Sequence, residues 1–393
     1  MTRGAVVIVG VVWAVSACAN PEPGDTTGNG PRDDPESPLE LTRILDYPAG
    51  GADPYPPWTL VTDAAIWGDD LVVADVRSPG VYEYDLVGSF VRTLGGEGAG
   101  PGEYESPRDI VPLPSGRLVV WDPGNARVLS YHPDGSSTSF RVHSTTYFAS
   151  VRTLFSIGDS LILIRARRER DDGAEYADGT HLLVYSLAGE LVDTMLSPRI
   201  DAPALAAPQE ALFGSAVPFA PTVKWIVTET GEVVATTGES YEVLRLTPDG
   251  DTLGVVRRDD EPVRIDPGER EAWKAAMEFA ARRRDPSWSW PRSLPFPETK
   301  PVISGLRPVV GGGFAVLLHG RGVEFPELRR EGAVHWGEAR QVDVYSSAGS
   351  WIGSIRLPAE EGVVRISPTH VVTRLRDALD RTYLRVYALA SGE

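Results

Sequence analysis

Five basic residues, Arg108, Arg152, Lys224, Arg307 and Arg365, recur far apart along the chain, each just before or within a short apolar run. Gathered around one axis, they would form a cationic ring suited to a carboxylate, sulfate or phosphate group. The competing use is structural, with each cation paired to a carboxylate of a neighbouring module. Asp63 and Asp109 stand in similar runs and could offer oxygen ligands to a divalent cation, although two carboxylates alone do not make such a site. The six histidines are scattered without His-x-x-x-His spacing, which argues against a zinc centre. No Gly-x-Ser-x-Gly elbow occurs, and the glycines between 95 and 102 lack the spacing and the following lysine of a nucleotide loop. Asp75, Asp122 and Asn125 stand beside turn signals, where such side chains cap backbone amides. Arg282, Arg283 and Arg284 end a helix-like stretch, where cations complement the helix dipole.

The remaining candidate for chemistry is Cys18, the only cysteine in the chain. It follows Arg3, the apolar run 5–15 and the small residues Ser16 and Ala17. That order reads as an export signal, and a run this short does not span a hydrocarbon core that needs about twenty apolar residues. The residues before Cys18 resemble a bacterial lipobox. The resemblance implies that segment 1–18 is a lipoprotein signal peptide, that the Cys18 thiol carries lipid, and that the chain is membrane-anchored on the extracytoplasmic side. A single cysteine also excludes an internal disulfide framework. Segment 19–38, rich in Pro, Gly, Asp, Glu, Ser and Thr, has no apolar period and reads as a disordered tether.

The composition is that of a globular protein, with 42% hydrophobic and 24% charged residues. A formal net charge of −17 repels phosphate backbones and excludes nucleic acid as the expected partner.

The elements that must position the candidate residues are written as a repeat. An apolar strand, a Gly/Asp turn, an alternating strand, a second tight turn and a third strand recur with a period of roughly 43 to 60 residues, which suits one four-stranded blade per copy. The copies begin near Gly68, Pro107, Gly158, Gly231, Gly313 and His370. The sixth supplies three strands, while the alternating segment 39–45 precedes the first copy without a partner. Pairing that segment with the last module would close a ring and protect its edges. Segment 266–298 departs from the pattern: 267–280 has helical propensity and a Pro/Gly start signal, and an aromatic, proline-rich strap follows.

Gly98-Ala99-Gly100-Pro101-Gly102-Glu103, then Pro107, the run from Gly116 to Asp122 and the run from Asn125 to Arg127 resemble the six-bladed, NHL-like β-propellers of bacterial lipoproteins. The likeness spans 39–393, is strong in the second module and degenerate in the third and sixth. It implies an all-β, six-bladed propeller, an N-terminal strand closing the last blade, and a helical insertion between blades four and five. It does not carry an activity, because this fold hosts binding modules and enzymes alike. The expected function is a binding or scaffold module, with no cofactor, engaging a protein, peptide or anionic glycan at the central channel through Arg108, Arg152, Lys224, Arg307 and Arg365. The alternative is a hydrolase or lyase of the lactonase type, with calcium or another divalent cation held by carboxylates such as Asp63 and Asp109.

Overall fold

The structure is a computed structural model that describes residues 39–47, 58–142, 154–167, 180–200, 217–292, 294–377 and 381–390. The signal segment, Cys18, the tether and Arg152 lie outside the described residues. Among those described, no helix is long and apolar enough to cross a membrane.

Strand β1 (Leu41–Tyr47) stands apart in sequence from the blade it completes. Blade one is β2 (Val61–Trp67), β3 (Asp70–Asp75), β4 (Gly80–Asp85) and β5 (Phe90–Thr93), and blade two is β6 (Asp109–Pro112), β7 (Leu118–Asp122), β8 (Arg127–Tyr131) and β9 (Ser137–Arg141). Blade three is β10 (Leu154–Ile157), β11 (Leu161–Arg167), β12 (Thr180–Ser186) and β13 (Leu191–Leu196). Blade four is β14 (Lys224–Val227), β15 (Val233–Thr236), β16 (Tyr241–Leu246) and β17 (Thr252–Arg258), and helix α1 (Pro267–Arg282) follows it. Blade five is β18 (Ile303–Pro308), β19 (Phe314–Leu318), β22 (Arg340–Tyr345) and β23 (Trp351–Leu357), with the small hairpin β20 (Gly322–Glu324) and β21 (Trp336–Glu338) inserted. Blade six is β24 (Gly362–Ile366), β25 (His370–Arg376) and β26 (Thr382–Leu389), completed by β1.

The burial of each strand follows from its place in the blade. Middle strands pack on both faces against neighbouring blades, so β7 and β19 are buried throughout and read as continuous apolar runs. Outer strands such as β9 and β13 keep mostly exposed residues. An apolar cluster fills every junction of the ring. Ala65, Val72 and Val81 of blade one meet Ile110, Leu118 and Val120 of blade two. Val119 and Trp121 meet Ile162 and Ile164 of blade three. One cluster joins blades three, four and five through Leu182, Val234 and Val316. Leu317 and Val344 meet Ile366 and Val371 of blade six, and Val372, Leu384 and Val386 return to Val61, Leu71 and Val73.

Closure is antiparallel pairing of β1 with β26, from Leu41 opposite Leu389 to Tyr47 opposite Leu384. The sequence expectation that 39–45 closes the last blade is met. Arg385 of β26 donates to Asp46 of β1 at 2.7 Å and to Glu361, whose side chain is fully buried. Helix α1 starts where the Pro/Gly signal places it: the Asp266 side chain accepts from the Gly268 amide, and Pro267 occupies the first turn.

Arg385→Met removes the only guanidinium, among the described residues, joining the two sides of this seam to Glu361 and leaves a buried carboxylate uncompensated. A destabilisation of about 3–5 kcal/mol is expected in urea unfolding, and a loss below about 1 kcal/mol would show that the seam does not depend on it.

Candidate functional site

The two ends of the ring differ. Within a blade, the connections from first to second strand and from third to fourth lie at one end, and none is longer than five residues. The other connections emerge at the opposite end and include 94–108, 197–223, the helix-bearing 259–302 and the hairpin-bearing 319–339. We refer to these ends as the turn face and the insertion face. Ligands of scaffolded folds are met by long loops on a rigid frame, which directs attention to the insertion face.

The innermost strands β2, β6, β10, β14, β18 and β24 surround the axis. Arg365, one residue before the end of β24, is buried and reaches across the channel. Its Nη2 lies 2.5 Å from Oδ2 of Asp63 on β2 and donates also to the Ile110 carbonyl on β6. Asp63 in turn accepts from the Ile110 amide at 3.0 Å and from the Ala64 amide. The two side chains therefore bind blades six, one and two across the axis and neutralise each other. Beside them lies a void of about 20 Å³, lined by residues of blades two to six that include Val111, Phe155, Val227, Pro308 and Arg365. That is room for about one water molecule, so the axis here is packed rather than open. Glu229 faces the same void, and burial pushes its carboxyl up against the opposing pull of the Gly311 amide and Arg365.

The other basic residues do not join this clamp. Arg307 stands one residue before the end of β18, toward the turn face, and its Nη1 donates to the Leu306 carbonyl at 2.9 Å. Arg108 immediately precedes β6, and Lys224 is the first residue of β14, so both lie at the insertion-face mouth of the channel. Lys224 is half-buried where blades four and five meet. Its Nζ donates to the backbone carbonyl and hydroxyl of Thr222, each at 3.3 Å, and no carboxylate pairs with it among the described residues. Desolvation lowers its pKa to about 8. Gly238 lines this spot with a φ of +80°, and a Cβ there would fall 2.7 Å from the Ile303 carbonyl and 2.9 Å from the Lys224 ammonium, so glycine is required for the close approach. The residues expected to share one ring thus separate: Arg108 and Lys224 stand at the insertion-face mouth, whereas Arg365 and Arg307 stand near the turn-face ends of their strands, and of these two Arg365 reaches across the axis.

Sequence reasoning missed a buried polar cluster beneath the insertion. Lys300, 1% exposed, donates to Glu269 of α1 at 2.7 Å, to Glu338 of β21 at 3.2 Å and to the Gly320 carbonyl at 3.1 Å, which uses all three of its protons. Glu338 also accepts from the Gly320 amide and lies 2.9 Å from Nδ1 of His319. Burial would raise the Glu338 carboxyl, but His319, Lys300 and Arg340 together hold it at about 2. Phe219 covers the cluster with its ring 5.0 Å from the ammonium, at a φ of 62° that is costly for a bulky side chain. Phe219 also meets Trp273 of α1 edge-on at 5.6 Å. Nothing in the sequence singled out Lys300, because its partners are 31 and 38 residues away on separate insertions.

Asp75 and Asp122 cap turns as expected: Asp75 accepts from the amides of Thr59, Leu60, Arg77 and Ser78, and Asp122 from those of Glu105 and Ser106. Among the described residues, no cluster of three or more His, Cys, Asp and Glu side chains is arranged to hold a metal ion.

No family model matches the chain, and no curated protein matches its sequence. Several solved structures are similar to it over most of their length. A Bacteroides vulgatus member of the DUF4221 family is 11% identical, with 90% of this chain and 98% of that one covered and a TM-score of 0.49. A candidate exported protein of Bacteroides fragilis is 13% identical over 91% and 97% of the two chains, with a TM-score of 0.48. A gluconolactonase of Xanthomonas campestris is 14% identical over 91% and 97%, with a TM-score of 0.39. At such identities the chemistry of those proteins is not carried over.

The channel clamp yields a double-mutant cycle. Arg365→Met and Asp63→Asn each strand a buried partner and are expected to cost about 3–5 kcal/mol, whereas the double variant should cost at least about 1 kcal/mol less than their sum. Strict additivity in urea unfolding would show that the pair is not coupled.

Proposed function

We propose that the chain is an exported, lipid-anchored recognition propeller that engages an anionic group of a protein, peptide or glycan at the channel mouth of its insertion face. The observation that carries this reading is the contrast between two cations. Arg365 is buried and already neutralised by Asp63, so it has no charge to offer. Among the described residues Lys224 stands at the mouth with only neutral acceptors and has lost hydration without gaining a counterion. An arriving anion supplies that counterion and recovers the lost solvation, and Arg108 flanks the same mouth. The Cys18 lipid and the tether 19–38 would hold the ring near a membrane surface while leaving it free to turn.

The enzyme alternative depended on Asp63 and Asp109 acting as oxygen ligands. Asp63 is committed to Arg365 and two backbone amides, which weighs against its use in binding a cation.

Lys224 also gives a pH signature. Its folded pKa of about 8 lies below the ordinary 10.5, so the unfolded chain binds more protons between those values. Its penalty is fully present below pH 8, and stability should rise as the pH passes from about 8 to 10.5. Sulfate at constant ionic strength should raise the thermal midpoint at pH 7 and flatten that alkaline rise. Lys224→Met should abolish both effects and Arg307→Ala neither. A sulfate response that survives Lys224→Met would remove the mouth as the anion site.

Anchoring is tested separately by Cys18→Ser, which should move the expressed chain from the membrane fraction to the soluble one. An unchanged partition between fractions would refute lipid attachment at Cys18.

A further inference from the structure

A second feature of the insertion face lies away from the axis, over the upper edge of blade five. A cavity of about 590 Å³ opens there between the segment leaving β17 and the ends of β19, β22 and β23. That size lies within the range of roughly 300–1,000 Å³ typical of small-molecule sites. Its walls differ in sign. The segment after β17 contributes the exposed carboxylates of Asp259 and Glu261, while the intervening Asp260 is taken up by Arg258 at 2.7 Å. Blade five contributes His319, Arg340 and, from β23, Arg356.

The buried cluster explains how that second wall is held. Glu338 grips the His319 ring through Nδ1 at 2.9 and 3.0 Å, and is itself fixed by Lys300 and by the Gly320 amide. The imidazole is thereby oriented, and Nε2 makes no hydrogen bond among the described residues. Arg340 lies 3.7 Å from Glu338, beyond hydrogen-bonding distance, so the guanidinium is drawn to this wall by charge while its donors are not used up on that carboxylate. A uniformly charged pocket would select a simple ion. Two walls of opposite sign, one of them braced from beneath, select a molecule carrying both charges.

We propose that this cavity binds a zwitterion of the size of a short unblocked peptide, with the ammonium at Asp259 and Glu261 and the carboxylate at Arg340. The inference deepens the recognition role above by naming a ligand class for the insertion face. It rests on that reading only for the choice of face, since neither Lys224 nor Arg108 lines the cavity.

The test is calorimetric titration of the whole exported chain with Ala-Ala-Ala, its N-acetyl form and its C-terminal amide. The free tripeptide should bind, and each capped form should bind at least about tenfold more weakly, the loss expected for one charge-assisted hydrogen bond. Arg340→Met should erase discrimination against the amide alone, and Asp259→Asn combined with Glu261→Gln should erase discrimination against the acetyl form alone. These side chains are exposed or half-exposed, so the variants should fold, with circular dichroism as the check. Equal affinity for all three peptides, no binding of the free one, or unchanged discrimination in the variants overturns the proposal. Peptide binding that survives these variants and fails in Lys224→Met moves the ligand to the channel mouth, which overturns this inference and leaves the anion site there standing. Conversely, a lost sulfate response at Lys224 has no bearing on the cap discrimination measured here.

Discussion

A ring of sheets has an edge problem on its inside. The innermost strand of each blade pairs with only one neighbour, so half of its backbone groups face the axis, where the space is too small for bulk water. Here side chains from other blades meet that demand. Arg365 of blade six donates to the Ile110 carbonyl of blade two, and Asp63 of blade one accepts the Ile110 amide. Arg374 of blade six donates to the Val61 carbonyl of blade one, and Arg165 of blade three donates to the Trp225 carbonyl of blade four. Arginine suits this task because its charge persists when buried and its fork reaches an acceptor on a strand it cannot pair with. These bonds couple blades that share no ladder, and so they complement the apolar clusters that fill the junctions.

The same demand explains what could and could not be read from the residues. Period-two alternation between Gly/Asp turns fixes strands locally, and the repeated module makes any one blade unstable without neighbours, so six copies imply a closed ring. The unpartnered segment before the first copy then has one place to go, and β1 lies there against β26. Helix α1 announced itself through the Pro267-Gly268 start signal and the helical propensity of the run that follows. Such features depend on neighbours close in sequence, or on a count of modules, and both are visible in one chain.

The fate of each cation was not visible in this way. Arg307 and Arg365 occupy the same penultimate position on their strands, yet Arg365 finds Asp63 across the axis while Arg307 turns back to its own backbone. Sequence supplies the residue type and the strand, but the height along the axis and the partner depend on how six sheets are inclined around it. The Lys300 cluster is further out of reach, because it assembles from α1, the segment before β18 and the β20–β21 hairpin.

That cluster bears on why two insertions are carried at all. Burying a lysine and two glutamates costs several kcal/mol per ion before pairing offsets it, and an apolar plug would hold α1 to blade five at least as well. What an apolar plug would not supply is direction. Lys300 and the Gly320 amide keep Glu338 in one orientation, and Glu338 fixes the ring of His319 at the margin of a cavity whose opposite wall is acidic. Glu269 ties the helix to the same ammonium, so α1, the hairpin and the histidine are joined through one network. A strained Phe219 over the cluster is consistent with a junction whose geometry is imposed by its surroundings rather than chosen by local preference. The expense falls on the insertion face, where both of these insertions emerge.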